Sequence, residues 1–269
     1  MIVCAWGAGV QSTALSLIHR YQPELLERIG MVPEHYIFSD PGAELDWTER
    51  HIHRLITQGH FAAPMHRVTG GDILANGGKR TLPPYHVMGA NGKKSILIRK
   101  CTRDLKIIPI ERKARELAGL KGKRAKPGSI KLLLGISLDE VERMNQGHGA
   151  FENQYPLIEL RWDRGRCKNY CREILGYEVQ RSACFMCPYR RDWSRLKELW
   201  PWEWERAVRY DRSLRDGTRG KAGVTEPRYL HRFLMPLDAA IDAELAMHTQ
   251  DGPPLFDDFL NECEGHCGI

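Results

Sequence analysis

Short apolar runs alternate with stretches of helical periodicity over the first half of the chain. The apolar runs predict strands at residues 2–5, 35–38, 67–68 and 131–136. Apolar residues at helical spacing predict helices over residues 14–21, 23–29, 44–56 and 107–120. Because strands that alternate with helices form parallel sheets, residues 1–150 are predicted to be an α/β domain with a Rossmann-like, twisted, mostly parallel sheet and helices on its faces.

The pattern changes after residue 150, and residues 151–269 are predicted to be a cysteine-bearing, mostly helical C-terminal part. Helices are expected over residues 164–175 and 193–214, and the chain ends in a mobile tail. Two other segments lack periodicity. Residues 70–94, rich in Gly, Pro, Asn and Lys, predict a long loop or lid, and residues 121–128 predict a basic connector.

The first predicted strand leads directly into a loop with the layout of a phosphate cradle. Gly7 and Gly9 let the backbone approach an anion closely, and the following helix offers the free N–H groups of its first turn. Ser12 and Thr13 add hydroxyl donors. The spacing matches neither the Walker A pattern nor the dinucleotide-binding glycine motif. An ordinary strand-to-helix turn is the alternative interpretation.

The second predicted strand also ends in a turn, Ser39-Asp40-Pro41-Gly42, and Glu44 begins the next predicted helix. Ligands of parallel α/β sheets bind beyond the carboxyl ends of the strands. We therefore expect Gly7–Thr13 and Asp40–Glu44 to lie at one ligand site.

The charge of the chain favours anionic partners. Its 40 Lys and Arg residues outnumber its 34 Asp and Glu residues, which gives a net charge of +6. Nucleotides, sulfate esters and nucleic acids all satisfy this criterion. No apolar run is long enough to cross a membrane, and no secretory signal precedes the first strand, so a cytoplasmic location is expected.

The chain has eight cysteines, and six of them fall in three close pairs. In a reducing compartment this favours a metal, an iron–sulfur cluster or redox chemistry over disulfides. Cys184 and Cys187 form a Cys-x-x-Cys turn closed by proline, and basic neighbours favour the thiolate of Cys101. These three form a candidate ligand set. Cys263 is a candidate fourth ligand, and an iron left open to substrate is the alternative.

The remaining pairs differ in their predicted roles. Cys167 and Cys171 lie one turn apart on one face of a predicted helix, where we expect them to be small core residues. Cys267 suits a mobile thiol that attacks a substrate and then meets a reductant. A tail cysteine without a role is the alternative.

With these residues assembled, the chain resembles the phosphoadenosine phosphosulfate (PAPS) reductase family, which has the adenine nucleotide α-hydrolase, or PP-loop, fold. It is similar in particular to short members found in phages and prophages. The likeness follows the chain in order over nearly its whole length. The matching segments are Gly9-Val10-Gln11-Ser12-Thr13, Phe38–Glu44 with Trp47-Thr48, Cys101 with Lys106 and Pro109, Leu134–Ile136 with Arg143, Cys184–Cys187, and Cys267-Gly268.

The resemblance implies that an adenine nucleotide (PAPS, adenylyl sulfate or ATP) binds at the PP-loop. The residues that it implies in nucleotide binding are Gly7, Gly9, Gln11, Ser12, Thr13, Asp40, Glu44, Lys106, Gly135 and Arg143. Cluster-bearing members hold a [4Fe–4S] centre, for which Cys101, Cys184, Cys187 and Cys263 would be the ligands here, with zinc as the alternative metal. Cys267 is implied as the catalytic nucleophile. It would attack the sulfonate sulfur, and a thioredoxin-like reductant would release sulfite.

Departures from the family pattern leave a second function open. Cys101 stands alone where cluster-bearing reductases have paired cysteines, and His266 precedes the tail thiol in place of the usual Glu. The single Cys101, the basic connector and the positive charge favour an ATP-dependent enzyme that transfers sulfur to tRNA or DNA. A zinc-stapled nucleotide-binding module without turnover is a third interpretation. A homodimer is an open alternative for the assembly.

Overall fold

The structure, a computed structural model, describes residues 1–74, 83–89, 91–215 and 227–251, the last six without their side chains. The strands are β1 (Ile2–Ala5), β2 (His35–Asp40), β3 (Met65–Thr69), β4 (His86–Met88), β5 (Lys94–Ile96), β6 (Ile130–Leu134) and β7 (Phe151–Gln154). The helices are α1 (Val10–Tyr21), α2 (Pro23–Arg28), α3 (Asp46–Thr57), α4 (Ile108–Leu117), α5 (Pro156–Glu159), α6 (Arg164–Leu175), α7 (Trp193–Leu199), α8 (Pro201–Ser213) and α9 (Leu237–Asp251). A π-helix, Thr102–Ile107, precedes α4, and a 3₁₀ helix, Leu138–Arg143, follows β6. No helix in this part of the chain combines the length and the apolar character needed to span a membrane.

Five parallel strands form the central sheet in the order β3-β2-β1-β6-β7, which confirms the predicted α/β, Rossmann-like class. β1 lies in the middle and pairs with β2 on one side and with β6 on the other. Its residues are apolar because helices cover both faces of the sheet. The chain therefore leaves β1 in one direction along the sheet and returns on the other side in β6. The loops after β1 and β6 diverge at this point, where ligands of such sheets bind.

Alternating residues of β1 pack into two different apolar cores, one on each face of the sheet. Cys4 belongs to the apolar core shared with α1 and α6, whereas Val3 packs in the core on the α4 side. Cys167 and Cys171 are fully buried in the α1–α6 core, which confirms their predicted structural role. Burial raises the pKa of Cys171 to about 12, so its thiol is unreactive at neutral pH.

The C-terminal helices build a separate apolar cluster. Phe185, Trp193 and Leu237 are among its fully or almost fully buried members, and Cys101 and Cys184 pack against it. Its helices, α7 to α9, contact one another in succession. The predicted helical character of the C-terminal part is therefore observed as far as residue 251.

Several predicted boundaries need correction. The helix predicted over residues 193–214 is two helices, because Pro201 disfavours helical backbone at the residue before it and begins α8. Residues 70–94 were predicted to lack regular structure, but β4 and the start of β5 form an antiparallel hairpin there. The sheet also continues past residue 150, since β7 pairs with β6.

Candidate functional site

The loop between β1 and α1 is a tight turn held by its own backbone and by Ser12. Ala8 has a φ of 60°, a left-handed conformation that costs a residue with a side chain about 1 kcal/mol. Gly9 caps α1, and its N–H donates to Ser12 Oγ at 3.1 Å. Helix α1 thus begins directly beyond the central strand. The first-turn N–H groups, which lack intrahelical partners, lie at the ligand-binding edge of the sheet.

Gly135, immediately after β6, packs against the start of α1. A methyl group at Gly135 would lie 2.9 Å from Ser12 N and 3.2 Å from Ser12 Cα. Both are backbone atoms, so no side-chain rotation can relieve the contact. Glycine is required for this approach. The structure therefore brings together two segments that the sequence predicted to share a site.

We expect Gly135→Ala to displace the start of α1 from β6. Overpacking of this kind typically lowers the free energy of unfolding by about 1–3 kcal/mol, and the distorted loop should bind nucleotide more weakly. Gly165→Ala is the matched control, because its added methyl would meet only the Asp163 carboxylate, at 3.3 Å. Urea unfolding and nucleotide titration measure both effects. Equal stability and affinity in the two variants would contradict the close packing at Gly135.

Gln11 lies in a buried polar network between α1 and the segment after β6. Its Nε2 donates to Glu140 Oε2 at 2.9 Å and to Ser137 Oγ at 3.3 Å, and its side chain is fully buried. Arg143 Nη1 donates to Glu140 Oε1 at 2.6 Å. The buried carboxylate is therefore paired with a cation. In this arrangement, the Gln11 amide and the Arg143 guanidinium orient the loop after β6 against the start of α1.

Thr13, predicted as a hydroxyl donor to an anion, instead contacts a buried histidine. Thr13 Oγ1 lies 2.9 Å from His51 Nε2, and Tyr177 Oη lies 3.0 Å from His51 Nδ1. The His51 ring stacks between Trp6 and Trp47, with centroid distances of 6.3 and 4.7 Å. Burial, assisted by the Arg54 and His60 charges, lowers the pKa of His51 to about 3. The imidazole is therefore neutral, with one nitrogen donating and the other accepting.

We expect His51 to make stability depend on pH. Its folded-state pKa of about 3 lies below the unfolded value of 6.5. Between these values the unfolded chain binds more protons, so the free energy of unfolding should fall as the pH decreases, by up to about 1.4 kcal/mol per pH unit. Urea unfolding between about pH 4 and pH 7 measures this slope. His51→Gln should flatten it, whereas His53→Gln, at an exposed position of α3, should not. An identical slope in both variants would contradict the assignment.

Glu44 and Lys106 form a buried ion pair beside the loop after β2. Lys106 Nζ lies 3.0 Å from Glu44 Oε1, and the two side chains are 10% and 1% exposed. Ser182 Oγ donates to Glu44 Oε2 at 3.3 Å. Lys106 also lines a small cavity at the ends of β1 and β2, together with Gly7 and Ser39. Lys106, a predicted nucleotide-binding residue, therefore borders the same cavity as the loop between β1 and α1.

Asp40, the last residue of β2, stabilises the turn that follows it. Its Oδ1 accepts a hydrogen bond from Gly42 N at 2.7 Å, and its Oδ2 pairs with Arg67 Nη2 at 2.5 Å. Glu49 binds the same guanidinium at 2.7 Å. Asp40 therefore fixes the conformation of the segment that leads to Glu44.

The Cys184–Cys187 turn is attached to this second loop. Cys184 pairs with Glu44 in an antiparallel bridge, and Phe185 N donates to Ala43 O at 2.9 Å. A hydrogen bond of 3.2 Å from Cys187 N to Cys184 O closes the turn. The fold therefore brings the Cys-x-x-Cys segment next to the Glu44–Lys106 pair.

The three described candidate metal ligands do not form a preformed centre. Cys101, which directly precedes the π-helix, and Cys184 and Cys187 form no disulfide bond. Within the described residues, no three His, Cys, Asp or Glu side chains are grouped as a metal ion would require. The structure describes only three of the four candidate ligands, so an iron–sulfur or zinc site stays a prediction. Cys263 and the predicted nucleophile Cys267 lie outside the described residues.

The sequence interpretation missed the residues that orient the predicted ones. Glu140 was not among the predicted site residues, although it lies three positions before the predicted Arg143, a spacing that brings side chains together on one helical turn. His51 shares the apolar side of α3 with Ile52 and Leu55, so its burial was readable from the periodicity. No local sequence pattern predicts that Gly135 packs on Ser12.

Comparisons with protein-family models, with curated proteins and with solved structures give no match for this chain. The protein can therefore be classified only by its fold and by the geometry of its candidate site. It is an α/β protein with a parallel sheet and a glycine-containing strand-to-helix loop at the point where the chain direction along the sheet reverses.

Proposed function

We propose that the protein is a PAPS or adenylyl-sulfate reductase-like enzyme that binds an adenine nucleotide at the Gly7–Thr13 loop. The observation that supports this best is the convergence of that loop, Gly135 and the buried Lys106 at the carboxyl ends of β1, β2 and β6. Helix first-turn N–H groups and an ammonium group both favour phosphate and sulfonate oxygens. The net charge of +6 favours the same ligands.

Cys267 is the proposed nucleophile. Its thiolate attacks the sulfonate sulfur, a sulfur–sulfur bond forms, and the bond from sulfur to the phosphate oxygen breaks as the nucleotide leaves. One thiol of a thioredoxin-like reductant then attacks Cys267 Sγ, so that sulfite leaves and a mixed disulfide forms. The second thiol of the reductant restores the Cys267 thiolate, and the reductant leaves as a disulfide that has given up two electrons. A cytoplasmic location belongs to this proposal, because dithiols are kept reduced there.

We expect anaerobically purified protein to carry iron that depends on Cys184. A Cys-x-x-Cys turn can supply two thiolates to one cluster, and the Cys184–Cys187 turn is the part of the candidate set whose local geometry is defined. Cys184→Ala should lower the iron content per protein, whereas Cys171→Ala, in the α1–α6 core, should leave it unchanged. Metal analysis by mass spectrometry checks both variants. Equal iron in wild type and Cys184→Ala would contradict the ligand assignment, and zinc in place of iron would favour the alternative metal.

A product assay tests the proposed function directly. One sample receives PAPS or adenylyl sulfate with reduced thioredoxin, and the other receives ATP with and without tRNA or DNA. Sulfite in the first sample supports the reductase. Pyrophosphate in the second without sulfite in the first would replace it by the sulfur-transfer enzyme. If neither sulfite nor pyrophosphate forms, both enzyme proposals are contradicted and the binding module is favoured.

A further inference from the structure

A second polar cavity lies next to the candidate nucleotide loop. Its volume is about 80 Å³, several times the ~10–15 Å³ that one water molecule requires. Val10 at the start of α1 and Trp47 in α3 form part of its wall, and α6 and residues 178–195 supply most of the remainder. The cavity therefore shares the first residue of α1 with the loop that we propose to bind the nucleotide.

The wall of this cavity is strongly cationic. Glu178 and Asp192 are the acidic residues that line it. The cationic residues that line it are Arg164, Lys168, Arg172, Arg181, Arg190 and Arg195. The three on α6 are spaced four residues apart, which places them on one side of that helix. An excess of cations in a confined space attracts an anion.

The acidic residues of the wall neutralise only part of this charge. Asp192 Oδ1 lies 3.4 Å from Arg181 Nη1 and 3.6 Å from Arg190 Nε, so one carboxylate is shared by two guanidinium groups. Glu178 lies 4.0 Å from Arg172, and both side chains are more than half exposed. Burial raises the pKa of Asp192, but Arg190 and Arg181 outweigh this effect and hold it below its usual value. The carboxylate is therefore ionised, and the wall still has a surplus of positive charge.

Arg190 is the residue that most requires a further partner. Its side chain is almost entirely buried, since the residue is 3% exposed. Its Nε and Nη2 atoms make no hydrogen bond to any group in the described part of the chain. Burial lowers its pKa, although the nearby Asp192, Cys187 and Cys184 oppose this. A buried guanidinium with unused donors is costly unless an anion accepts from it.

We propose that this cavity binds a tetrahedral anion, the terminal phosphate or sulfate of the substrate nucleotide, through Arg190, Arg195 and Lys168. This inference rests on the proposed function, because it assigns the cavity to the nucleotide whose other anionic group is proposed to bind at Gly7–Thr13. Planar guanidinium groups donate in pairs to such an anion. A cavity of about 80 Å³ suits a terminal group better than the continuous backbone of a nucleic acid.

Calorimetric titration with inorganic phosphate tests the inference. The ionic strength is held constant with potassium chloride, since screening weakens charge interactions. Wild type should bind phosphate, and Arg190→Gln should lower the affinity at least about tenfold. Arg195→Gln and Lys168→Gln, at less buried positions, should weaken binding about threefold, and circular dichroism verifies that they are folded. Arg191→Gln is the matched control, because Arg191 is exposed and adjacent in sequence.

Two outcomes would overturn the inference. The first is the absence of phosphate binding by wild type. The second is equal weakening in Arg191→Gln and in the folded Arg195→Gln and Lys168→Gln variants, which would indicate a general charge effect.

A competition arm identifies the source of the anion. Adenosine 3′,5′-bisphosphate should displace inorganic phosphate from wild type more effectively than AMP does, because it carries a second terminal phosphate. If neither nucleotide displaces phosphate, the assignment to the substrate is contradicted, and the cavity is a site for free anions. None of these measurements requires turnover. Failure of the sulfite assay with intact phosphate binding would therefore overturn the proposed function and not the cavity.

Discussion

Replacement of Cys267 by serine is expected to abolish sulfite formation and to leave nucleotide binding unchanged. A serine hydroxyl is a far weaker nucleophile at neutral pH than a thiolate, and loss of an attacking nucleophile typically lowers kcat by about a thousandfold or more. The residues proposed to bind the nucleotide lie on the sheet and its loops, so the affinity should not depend on this thiol. Sulfite production and equilibrium nucleotide titration, performed on the same preparation, measure the two properties separately.

The covalent intermediate gives an independent check on this variant. Wild type incubated with PAPS or adenylyl sulfate, but without a reductant, should accumulate a sulfonate adduct on the peptide that contains Cys267. Mass spectrometry of the digested protein detects it. Cys263→Ser is the matched control, because Cys263 lies in the same tail and is proposed as a ligand rather than as the nucleophile. Full activity of Cys267→Ser, or an adduct on Cys263, would remove the proposed mechanism.

Replacement of Lys106 by methionine is expected to produce the largest loss of stability. Methionine retains most of the aliphatic length but leaves the Glu44 carboxylate buried without its cation. Removal of one partner from a buried ion pair typically lowers the free energy of unfolding by about 3–5 kcal/mol. Urea unfolding measures the loss. Because Lys106 also borders the space next to Gly7, nucleotide binding should weaken as well.

A double-mutant cycle separates the ion pair from the loss of lysine itself. Glu44→Gln combined with Lys106→Met removes both charges, so the double variant should be more stable than the sum of the single effects predicts. Lys113→Met is the matched control, because Lys113 pairs with the more exposed Glu116 on α4 at 2.7 Å. That substitution should leave stability nearly unchanged. If Lys106→Met destabilises the protein no more than Lys113→Met does, the buried pair is not an important contributor.

The buried strands and helices could be predicted from the sequence, because their burial produces a regular pattern of apolar residues. β1 and, apart from Lys131, β6 are apolar on both faces, and the predicted bounds of α6, residues 164–175, agree with the structure. The edge strands are different. β7, with the sequence Phe-Glu-Asn-Gln, is buried on one side only, so it gives no apolar run and was not predicted.

The candidate site was only partly readable, for a different physical reason. Its glycines and the loop that contains them are local signals, whereas their partners come from distant parts of the chain. Gln11 and Glu140 are 129 positions apart, and Glu44 and Lys106 are 62 apart. Neither pairing has a sequence pattern. The cationic cavity has the same origin, because folding brings Val10 and Trp47 next to α6 and the 178–195 segment.

The position of β1 has a consequence for how the protein is made. This strand is synthesised well before β6, its neighbour on one side, which ends at residue 134. At about 5–20 residues per second, roughly 6–26 seconds of synthesis separate the ends of the two strands. During that interval the nascent sheet has an open, apolar edge, and the pairing that closes it requires a long loop to form. Co-translational chaperone binding to the segment between β1 and β6 would therefore protect the strand on which the whole sheet is built.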